Sequence, residues 1–359
     1  MKAAVDPRTL RKKLEAVQAV RPIQGVRIEA RGDRLALEAP GELADVRLEV
    51  PAEVETEGEA YLLPNVLAPV VKALPDSKVV MALDENRLRL EAGSFRTHLT
   101  VVEDVQSVVS LPEVEPQALL EGQALARALA AVLPATAREN HRGIFRGVRF
   151  ELGGRARLVA TDGFRLALYD LEAPSGDPTT TFVVTAPAAS ILRRLALEDP
   201  EVEIGYDDKG QVFARGRAFS LRLGTLAGSF PDYERVFPST FIARATFEAG
   251  ELRAAIRRLL PLLDKEAQRI DLTLGPEGLR LKTESDHGRG EDFVAATVEG
   301  EALTLALNPS YLLDAVQPVE AQVTLAFSGA LTPLTVQGEG RYLGVLVPLR
   351  VPHVEQKAA

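Results

Sequence analysis

The sequence contains no cysteine and no tryptophan, and aromatic residues make up only 5% of its 359 residues. Without cysteine the chain cannot form disulfides or thiolate metal sites, which agrees with a reducing cytoplasm, although a secreted protein can also lack cysteine. No apolar run is long enough to cross a bilayer, and the amino-terminal stretch MKAAVDPRTLRKK has no secretory apolar segment. We expect a cytoplasmic protein with no membrane partner.

The usual catalytic and nucleotide-binding motifs are also absent from the sequence. There is no phosphate loop, no GxSxG elbow and no HExxH pair. The four histidines, His98, His141, His287 and His353, form no close pair. The most enzyme-like stretch is SDHGRGED at residues 285–292, and solvated loops often have this composition. The sequence therefore predicts no catalytic residue, no metal site and no cofactor.

What is present is a globular composition with an internal repeat. Hydrophobic residues make up 46% of the chain and charged residues 26%, and the length suggests two or three domains. Three segments, beginning at Val5, Leu120 and Glu248, have apolar residues three and four apart, as in an amphipathic helix. The apolar positions that align between them are Leu10, Leu125 and Leu252, then Leu14, Leu129 and Ile256.

The same order of elements follows each of these helices. An alternating strand pair with a glycine-containing turn comes first, which is typical of a hairpin with one buried face. A short helix then opens at Pro64, Pro187 or Pro309, where proline suits the first turn. Further alternating strands complete each copy. The pattern predicts an α+β protein of three repeated domains, residues 1–115, 116–240 and 241–359.

The stretch ATDGFRLALYD, residues 160–170, places an Asp-Gly pair between two apolar runs. Both residues of such a pair tolerate positive φ, so the pair predicts a tight turn between two strands. Phe164 and Arg165 then stand side by side where the second strand leaves the turn.

The formal charge is −9, but it is unevenly distributed along the chain. The six predicted helices together carry +7, which leaves −16 for the remainder. One interpretation is that lysine and arginine simply favour helices. The other is that the helices share a face that meets phosphate. No sequence-reading DNA motif is present, so any contact with DNA is expected to be non-specific.

Three pieces of the sequence resemble the bacterial DNA sliding clamps, the beta subunits of DNA polymerase III. They are ATDGFRLA, SFPDYERVFP at residues 229–238, and NPSYLLDAV together with VLVPLRV near the end. The resemblance covers nearly the whole chain. It implies three clamp domains, each with two helices packed on antiparallel sheets, and a head-to-tail homodimer that forms a six-domain ring. It also implies a processivity factor without enzymatic activity.

The resemblance further implies a groove for hydrophobic peptides of partner proteins, with Phe164 and Arg165 displayed rather than buried. Leu166, Val236, Val347 and Leu349 would take up leucine or phenylalanine, and Arg165, Arg235 and Asn308 would orient the peptide. The complete predicted groove is Phe145, Thr161, Gly163, Phe164, Arg165, Leu166, Pro231, Arg235, Val236, Asn308, Tyr311, Leu334, Val345, Val347, Pro348, Leu349 and Arg350.

Two further surfaces are predicted. Non-specific contacts with duplex DNA are expected from Lys12, Arg21, Arg142, Arg193, Arg194, Arg253 and Arg257.

Three open α+β units leave unpaired sheet edges, which tend to pair with other strands. By resemblance, the dimer interface would include Arg96, Leu99, Pro261 and Leu262.

The partners implied are the catalytic subunit of the replicative polymerase and the clamp loader, together with repair polymerases, DNA ligase and mismatch-repair proteins. The chain departs from the family pattern at Phe164, where a polar residue is common, and at Val347 and Leu349, which replace frequent methionines.

Two other functions stay open at this point. A β-rich hydrolase or metal-dependent phosphoesterase would need a convergent cluster of histidine and aspartate. A repeat protein that binds carbohydrate or peptide through its sheets would need exposed aromatic residues on strands.

Overall fold

The computed structural model describes most of the chain, namely residues 1–103, 109, 111, 115–138, 143–172, 180–207, 209–263, 268–338 and 340–350. The chain forms two compact units. The first unit comprises Met1–Ala126, Leu152–Gly154 and Ala173–Leu226, and the second comprises Arg127–Glu151, Arg155–Glu172 and Ala227–Ala359. The division into three domains at residues 115 and 240 stays a prediction.

Six α-helices lie within the described residues, together with four short 3-10 turns. The helices are α1 Pro7–Ala19, α2 Pro64–Ala73, α3 Gly122–Val132, α4 Ala186–Ala196, α5 Ala249–Leu259 and α6 Pro309–Val316. The 3-10 turns are η1 Leu133–Ala135, η2 Gly143–Arg146, η3 Tyr233–Val236 and η4 Leu260–Leu262. None of these helices is both long and apolar enough to span a membrane.

The strands form antiparallel pairs throughout the described part of the chain. They are β1 Lys2–Val5, β2 Val26–Arg31, β3 Arg34–Ala39, β4 Ala44–Thr56, β5 Gly58–Leu62, β6 Val79–Asp84, β7 Arg87–Ala92, β8 Phe95–Thr100, β9 Pro116–Glu121, β10 Gly147–Leu152, β11 Ala156–Thr161, β12 Arg165–Leu171, β13 Thr180–Thr185, β14 Glu201–Tyr206, β15 Val212–Arg215, β16 Phe219–Leu223, β17 Ala243–Glu248, β18 Ile270–Gly275, β19 Gly278–Ser285, β20 Gly288–Ala295, β21 Thr297–Gly300, β22 Leu303–Leu307, β23 Gln322–Phe327, β24 Leu334–Gly338 and β25 Tyr342–Leu346.

The predicted amphipathic helices are confirmed by their burial. The aligned residues Leu10, Leu125 and Leu252 are completely buried. The positions four residues later in each helix are buried as well. Since residues four apart lie on one face of a helix, these pairs form the stripe that packs each helix onto its sheet.

Proline lies in the first turn of the second helix of each repeat; Pro64 and Pro309 begin their helices as predicted, whereas α4 begins one residue earlier, at Ala186. In two of these helices the residue before the first turn also caps the helix. Thr185 Oγ1 accepts a hydrogen bond from the Ala188 amide over 3.3 Å. Asn308 Oδ1 accepts from the amides of Ser310 and Tyr311, over 2.9 and 3.2 Å. Proline and cap together specify where these helices begin.

In the first unit, one sheet runs in the order β8, β7, β6, β1, β4, β16, β15, β14 and β9. Strand β3 also pairs with β4, β2 pairs with β3, and β5 pairs with β2. In the second unit, strands pair in the succession β10, β11, β12, β25, β24, β23, β17 and β21. A separate four-stranded sheet has the order β20, β19, β18 and β22. Helices and antiparallel sheets therefore confirm the predicted α+β class.

One contact recurs in the first and third sequence repeats. Arg11 donates to the carbonyls of Val71 and Leu74, at the end of α2. Arg253 holds the aligned position and donates to the carbonyls of Val316 and Val319, at the end of α6. The last carbonyls of a helix have no partner within it, so each arginine satisfies acceptors that would otherwise need water. The middle repeat has Ala126 at this position.

Candidate functional site

The Asp-Gly pair forms a turn between β11 and β12, as the sequence predicts. Gly163 has a φ of +93°, which favours glycine. Asp162 Oδ1 accepts hydrogen bonds from the amides of Phe164 and Arg165, over 2.9 and 3.0 Å. Thr161 Oγ1 donates to the Arg165 carbonyl over 2.7 Å. The turn is therefore fixed by side chains at both ends.

Phe164 projects from this fixed turn with 64% of its surface exposed, so the prediction that it is displayed is confirmed. Its carbonyl accepts a hydrogen bond from the Val347 amide over 3.0 Å. This bond continues the pairing between β12 and β25 past the end of the strand. The aromatic ring is thus exposed on a backbone that is held on both sides.

The prediction that Arg165 is displayed is wrong, because only 7% of the residue is exposed. Its guanidinium donates to Asp162 Oδ2 over 2.9 Å, to Asp314 Oδ2 over 2.6 Å and to the Pro134 carbonyl. The Tyr311 ring centre lies 4.1 Å from the guanidinium carbon. A buried arginine needs such partners because its charge has lost water. Arg165 thus joins the turn to α6 and η1.

The next residues along β12 form an apolar floor. Leu166 pairs in register with Val345 of β25, and both side chains are buried. They pack in one cluster with Val159, Leu168 and Tyr233. Leu166 therefore belongs to a buried apolar layer beneath the turn.

Three aromatic contacts hold the segment that contains η3. The ring centres of Phe145 and Phe230 are 6.2 Å apart, those of Phe230 and Tyr233 are 6.4 Å apart, and those of Tyr233 and Phe237 are 6.4 Å apart, all edge to face. The Tyr233 hydroxyl donates to Glu151 over 3.1 Å, and burial raises the pKa of this hydroxyl. The segment is therefore anchored by its aromatic residues Phe230, Tyr233 and Phe237.

These segments enclose a cavity of about 580 Å³ within the second unit. The cavity combines a buried apolar floor with the exposed residues Phe164, Val236 and Val347. Of the predicted groove residues it brings together Phe145, Thr161, Gly163, Phe164, Arg165, Leu166, Pro231, Arg235, Val236, Val345 and Val347. We call this surface the groove.

The remaining predicted groove residues do not line the cavity, and their part in binding stays a prediction. Asn308 caps α6, Tyr311 stacks on Arg165, and Leu334 is completely buried. Pro348 is buried, and the half-buried Leu349 donates its amide to the Ala306 carbonyl over 2.8 Å. Arg350 is exposed.

Sequence reasoning missed nine residues of the groove. Most of them continue the segment already singled out, so the whole stretch from Pro231 to Thr240 could have been included. The others follow β23, where Ser328 Oγ donates to the Thr240 carbonyl over 2.7 Å. The missed residues are Asp232, Tyr233, Phe237, Pro238, Ser239, Thr240, Ser328, Thr332 and Pro333.

The residues predicted to face DNA are mostly exposed but partly engaged with acidic or polar groups of the same unit. Lys12 Nζ lies 2.7 Å from Glu198 Oε1, and Arg194 lies 4.0 Å from Glu15. Arg193 is half-buried, and its Nε has no hydrogen-bond partner among the described residues.

The other predicted DNA-facing residues differ in their environment. Arg21 is exposed and lies 3.5 Å from Glu42. Arg257 donates to Gln317 over 2.7 Å, and Arg253 contacts the end of α6 as described above. Arg142 lies outside the described residues. The contact of this set with DNA stays a prediction.

The predicted dimer residues lie on or beside two open sheet edges. Arg96 and Leu99 belong to β8, the last strand of its sheet, although Leu99 is buried within its own chain. Pro261 and Leu262 form part of η4. Leu262 packs close to Gly290 of β20, the last strand of the four-stranded sheet. Contact with a partner stays a prediction for all four residues.

The stretch at residues 285–292 is the turn and second strand of the hairpin β19–β20. Two of its three acidic residues contact basic side chains. Asp292 accepts from Arg258 over 2.7 Å, and Glu291 contacts Arg280 and Lys282. Within the described ranges no group of three potential metal-ligating residues is found.

Comparison with known proteins gives one family. Residues 119–232 match the family model described as the central domain of the DNA polymerase III beta subunit, and residues 234–342 match its C-terminal domain. The chain is 29% identical to the beta sliding clamp of Synechococcus elongatus, over 90% of each chain. It is also 29% identical to the beta sliding clamp homolog GriR of Streptomyces muensis, over 84% of this chain and 83% of that protein.

Solved structures agree with these matches. The sliding clamp of Bartonella birtlesii bound to griselimycin is 26% identical and superimposes with a TM-score of 0.86, covering 98% of this chain and 100% of the other. The sliding clamp of Bacillus subtilis, 21% identical, gives a TM-score of 0.87 over the same shares and so shows the same fold.

Proposed function

The chain belongs to the family of bacterial DNA polymerase III beta subunits, the sliding clamps, and from this premise we propose that it is a processivity factor. It encircles duplex DNA as a head-to-tail homodimer and tethers replication proteins through the groove. It has no catalytic activity of its own and needs no cofactor. It works in the cytoplasm, on the nucleoid during replication.

The groove is the observation that carries this proposal. A concave apolar surface with a few oriented polar groups is the usual form of a ligand site. Phe164, Val236 and Val347 are exposed around a floor that contains Leu166 and Val345, so a peptide with leucine and phenylalanine side chains can cover them. Covering exposed apolar surface is favourable at about 25 cal/mol per Å².

The open sheet edges support closure of a dimer. Strand β8 ends one sheet and strand β20 ends another, and both are largely exposed. Phe95 and Phe293 are exposed apolar residues on these two strands. In a two-fold dimer, β8 of each chain would pair with β20 of its partner, so that the open edges of both chains are covered. With three domains in each chain, at residues 1–115, 116–240 and 241–359, the dimer is a ring of six.

Contact with DNA is weak and independent of sequence in this proposal. The basic residues on the helices meet phosphates, but Lys12 and Arg194 also lie beside carboxylates, which reduces their net attraction. Enclosure of the duplex, and not affinity, then keeps the protein on DNA. The partners held in the groove are the replicative polymerase catalytic subunit and the clamp loader, with repair polymerases, ligase and mismatch-repair proteins as further occupants.

The test is retention of the protein on circular and linear DNA. The protein is loaded on nicked circular DNA by its clamp loader and washed at high salt, which removes proteins held only by phosphate contacts. We expect retention on the circle, loss when the circle is cut once, and renewed retention when both ends are blocked by a bulky protein. Equal retention on circular and open linear DNA would contradict enclosure.

A further inference from the structure

The chain joins its sequence repeats through the same kind of strand pair twice. At the first junction β4 pairs antiparallel with β16, and at the second β12 pairs antiparallel with β25. In their repeats, β4 and β12 are the third strand after the first helix, and β16 and β25 are the third strand after the second helix. The strands left in these places are β20 and β8, and each ends its sheet. Contact between β8 of one chain and β20 of its partner would form the junction a third time.

Both sides of a junction can be aligned between repeats through their own sheets. The first strand after each first helix has buried apolar side chains two residues apart, the second being Ile28, Phe150 or Leu272. Two strands across from these, in β4, β12 and β20, lie Leu48, Tyr169 and Asp292. The first strand after each second helix likewise has Met81, Ile204 or Leu325. Two strands across from these, in β8, β16 and β25, lie Thr97, Leu221 and Gly344. The residues two positions before them are Phe95, Phe219 and Tyr342.

The two internal junctions have one register. Leu48 lies opposite Phe219, and Tyr169 lies opposite Tyr342, so both junctions join the same two aligned positions. Agreement between junctions of different sequence indicates that the register belongs to the repeat and not to particular side chains.

Between two chains, the same register sets Phe95 opposite Asp292 of the partner subunit. Because the strands are antiparallel, three residues further on in β8 and three residues back in β20 it sets His98 opposite Arg289 of the partner subunit. Both residues are exposed in the single chain. Residues directly opposite in such a pair have their Cβ atoms about 5 Å apart on one face of the sheet.

The closest neighbours of His98 in this arrangement are cationic. Within its own chain His98 lies opposite Arg89 of β7, so it would stand between two guanidiniums. The charged or titratable groups one step further away on this face are Arg87, Glu91 and Arg96 of the same chain, with His287 and Glu291 of the partner subunit. One strand beyond these lie Asp84 and Glu284 of the partner subunit.

The carboxylates near His98 already contact other cations. Glu91 lies 3.1 Å from Arg89 and 3.7 Å from Arg96, and Glu291 contacts two basic residues of β19. The outer two carboxylates are two strands away from His98, about 10 Å, where salt screens their charge. A proton on His98 therefore adds a positive charge between two guanidiniums.

We propose that in the dimer His98 lies opposite Arg289 of the partner subunit, and that protonation of His98 weakens the contact between the chains. A neutral imidazole can accept a hydrogen bond from a guanidinium, whereas an imidazolium ion only donates. Like charges directly opposite across a strand pair are destabilising. The separated chains thus take up the proton more readily than the dimer, and dissociation increases as the pH falls through the range in which histidine gains charge. This inference rests on the proposed homodimer and adds pH control of its closure.

Disulfide cross-linking tests the register without background, because the chain has no cysteine. Oxidation of His98→Cys combined with Arg289→Cys should give a covalent dimer on a non-reducing gel. His98→Cys combined with Glu291→Cys, two residues out of register, is the matched control and should cross-link far less. A disulfide spans Cα atoms about 4.4 to 6.8 Å apart, which includes directly opposite residues and excludes most diagonal ones.

The dissociation constant of the dimer tests the charge effect. It is measured with fluorescently labelled chains at about pH 8 and about pH 5.5, at constant ionic strength. The ring has two such contacts, so the effect of one like-charged pair is squared, and we expect a rise of about two- to thirty-fold at the lower pH. In His98→Gln the rise should disappear. His287→Gln, which removes the neighbouring histidine, is the control and should keep it.

A charge exchange assigns the effect to Arg289. His98→Lys carries its charge at both pH values and should weaken the dimer at about pH 8, and Arg289→Glu added to it should restore the affinity. In Arg289→Glu alone, acidification should strengthen the dimer.

The outcomes separate this inference from the proposed dimer. A dimer that cross-links equally in both cysteine pairs, or only with Glu291→Cys, would overturn the register and leave the dimer intact. A dissociation constant that does not change with pH, or changes equally in His98→Gln, would overturn the role of His98. Monomers alone at both pH values would overturn both proposals.

Discussion

Arg165 and Asp314, 149 residues apart in the chain, are joined by a hydrogen bond of 2.6 Å between guanidinium and carboxylate. The same guanidinium holds Asp162 in the turn that begins the groove. The contact therefore ties the turn after β11 to the helix α6, and the two segments keep their positions together. The charge of Arg165 is matched by Asp162 and Asp314, and we expect the residue to position the groove.

Replacing Arg165 by alanine should lower the free energy of unfolding by about 3 kcal/mol, because Asp162, whose side chain is only 11% exposed, and Asp314 both lose their charged partner. Peptide affinity should fall as well, since the turn loses its support. Urea denaturation measures the first effect and polarisation the second. Asp314→Asn combined with Arg165→Ala should cost less than the sum of the two changes. Unchanged stability with loss of peptide binding would instead mean that Arg165 contacts the peptide directly.

Introducing aspartate at Val236 or Val347 should weaken binding of a leucine- and phenylalanine-containing peptide about ten-fold, the equivalent of burying one apolar side chain. Both residues are about 40% exposed, so stability should change by no more than about 0.5 kcal/mol. Ile23→Asp, at a more exposed apolar site in the first unit, is the control and should bind normally.

Combining Phe95→Asp with Phe293→Asp should convert the dimer into a monomer in sedimentation velocity at micromolar concentration. The two residues lie on the open edges β8 and β20, where a new charge opposes strand pairing. Val66→Asp, an exposed site on α2, should leave the dimer intact. A double variant that stays dimeric with native stability would place the interface elsewhere.

Neutralising Arg193 and Arg194 with glutamine should reduce the salt dependence of DNA binding. Each phosphate contact contributes about 0.9 to the slope of log affinity against log salt, so the slope should fall by about two. Arg31→Gln with Arg34→Gln, at the end of the hairpin β2–β3, removes the same charge and should leave the slope unchanged. Equal slopes in both variants would remove Arg193 and Arg194 from the DNA-facing set.

Stability should fall at acid pH in a way that depends on Arg258. Its hydrogen bond holds the pKa of Asp292 below the usual value of 3.8. A carboxyl whose pKa is lower in the folded state stabilises the protein above the unfolded pKa, and this contribution is lost as the pH falls through the folded pKa. Arg258→Gln should therefore make the decline of the unfolding free energy below about pH 4 less steep. Arg289→Gln, in the same hairpin, is the charge-matched control for the denaturation series.

The helices and the turn were predicted well because the residues that specify them are close together in the sequence. Leu10, Leu125 and Leu252 recur at helical spacing and are all buried. Pro64 and Pro309 begin helices because a first turn needs no amide donor at that position. The turn at Gly163 follows from the conformations open to an Asp-Gly pair.

The burial of Arg165 could not be predicted in the same way. Its partners Asp314 and Pro134 come from segments far apart in sequence, so no local pattern shows that the charge is matched. Arg253 illustrates the same limit, because its contact with the end of α6 depends on the packing of two helices. The family resemblance predicts that Arg165 orients a peptide, and the basic helices predict that Arg253 contacts DNA, although both arginines make contacts within the fold.

The floor of the groove belongs to a continuous backbone ladder, from Arg165 opposite Leu346 to Tyr169 opposite Tyr342. Amides in such a ladder exchange with deuterium slowly, because they open only when a large part of the sheet opens. The surface is therefore ordered without a ligand, and in the proposed function the entropy cost of ordering falls on the partner peptide. In the proposed function, competition among partner peptides is then decided by how long each one stays bound. If the groove binds partner peptides as proposed, differences in affinity among them arise from the peptides themselves, because the docking surface is the same for all of them.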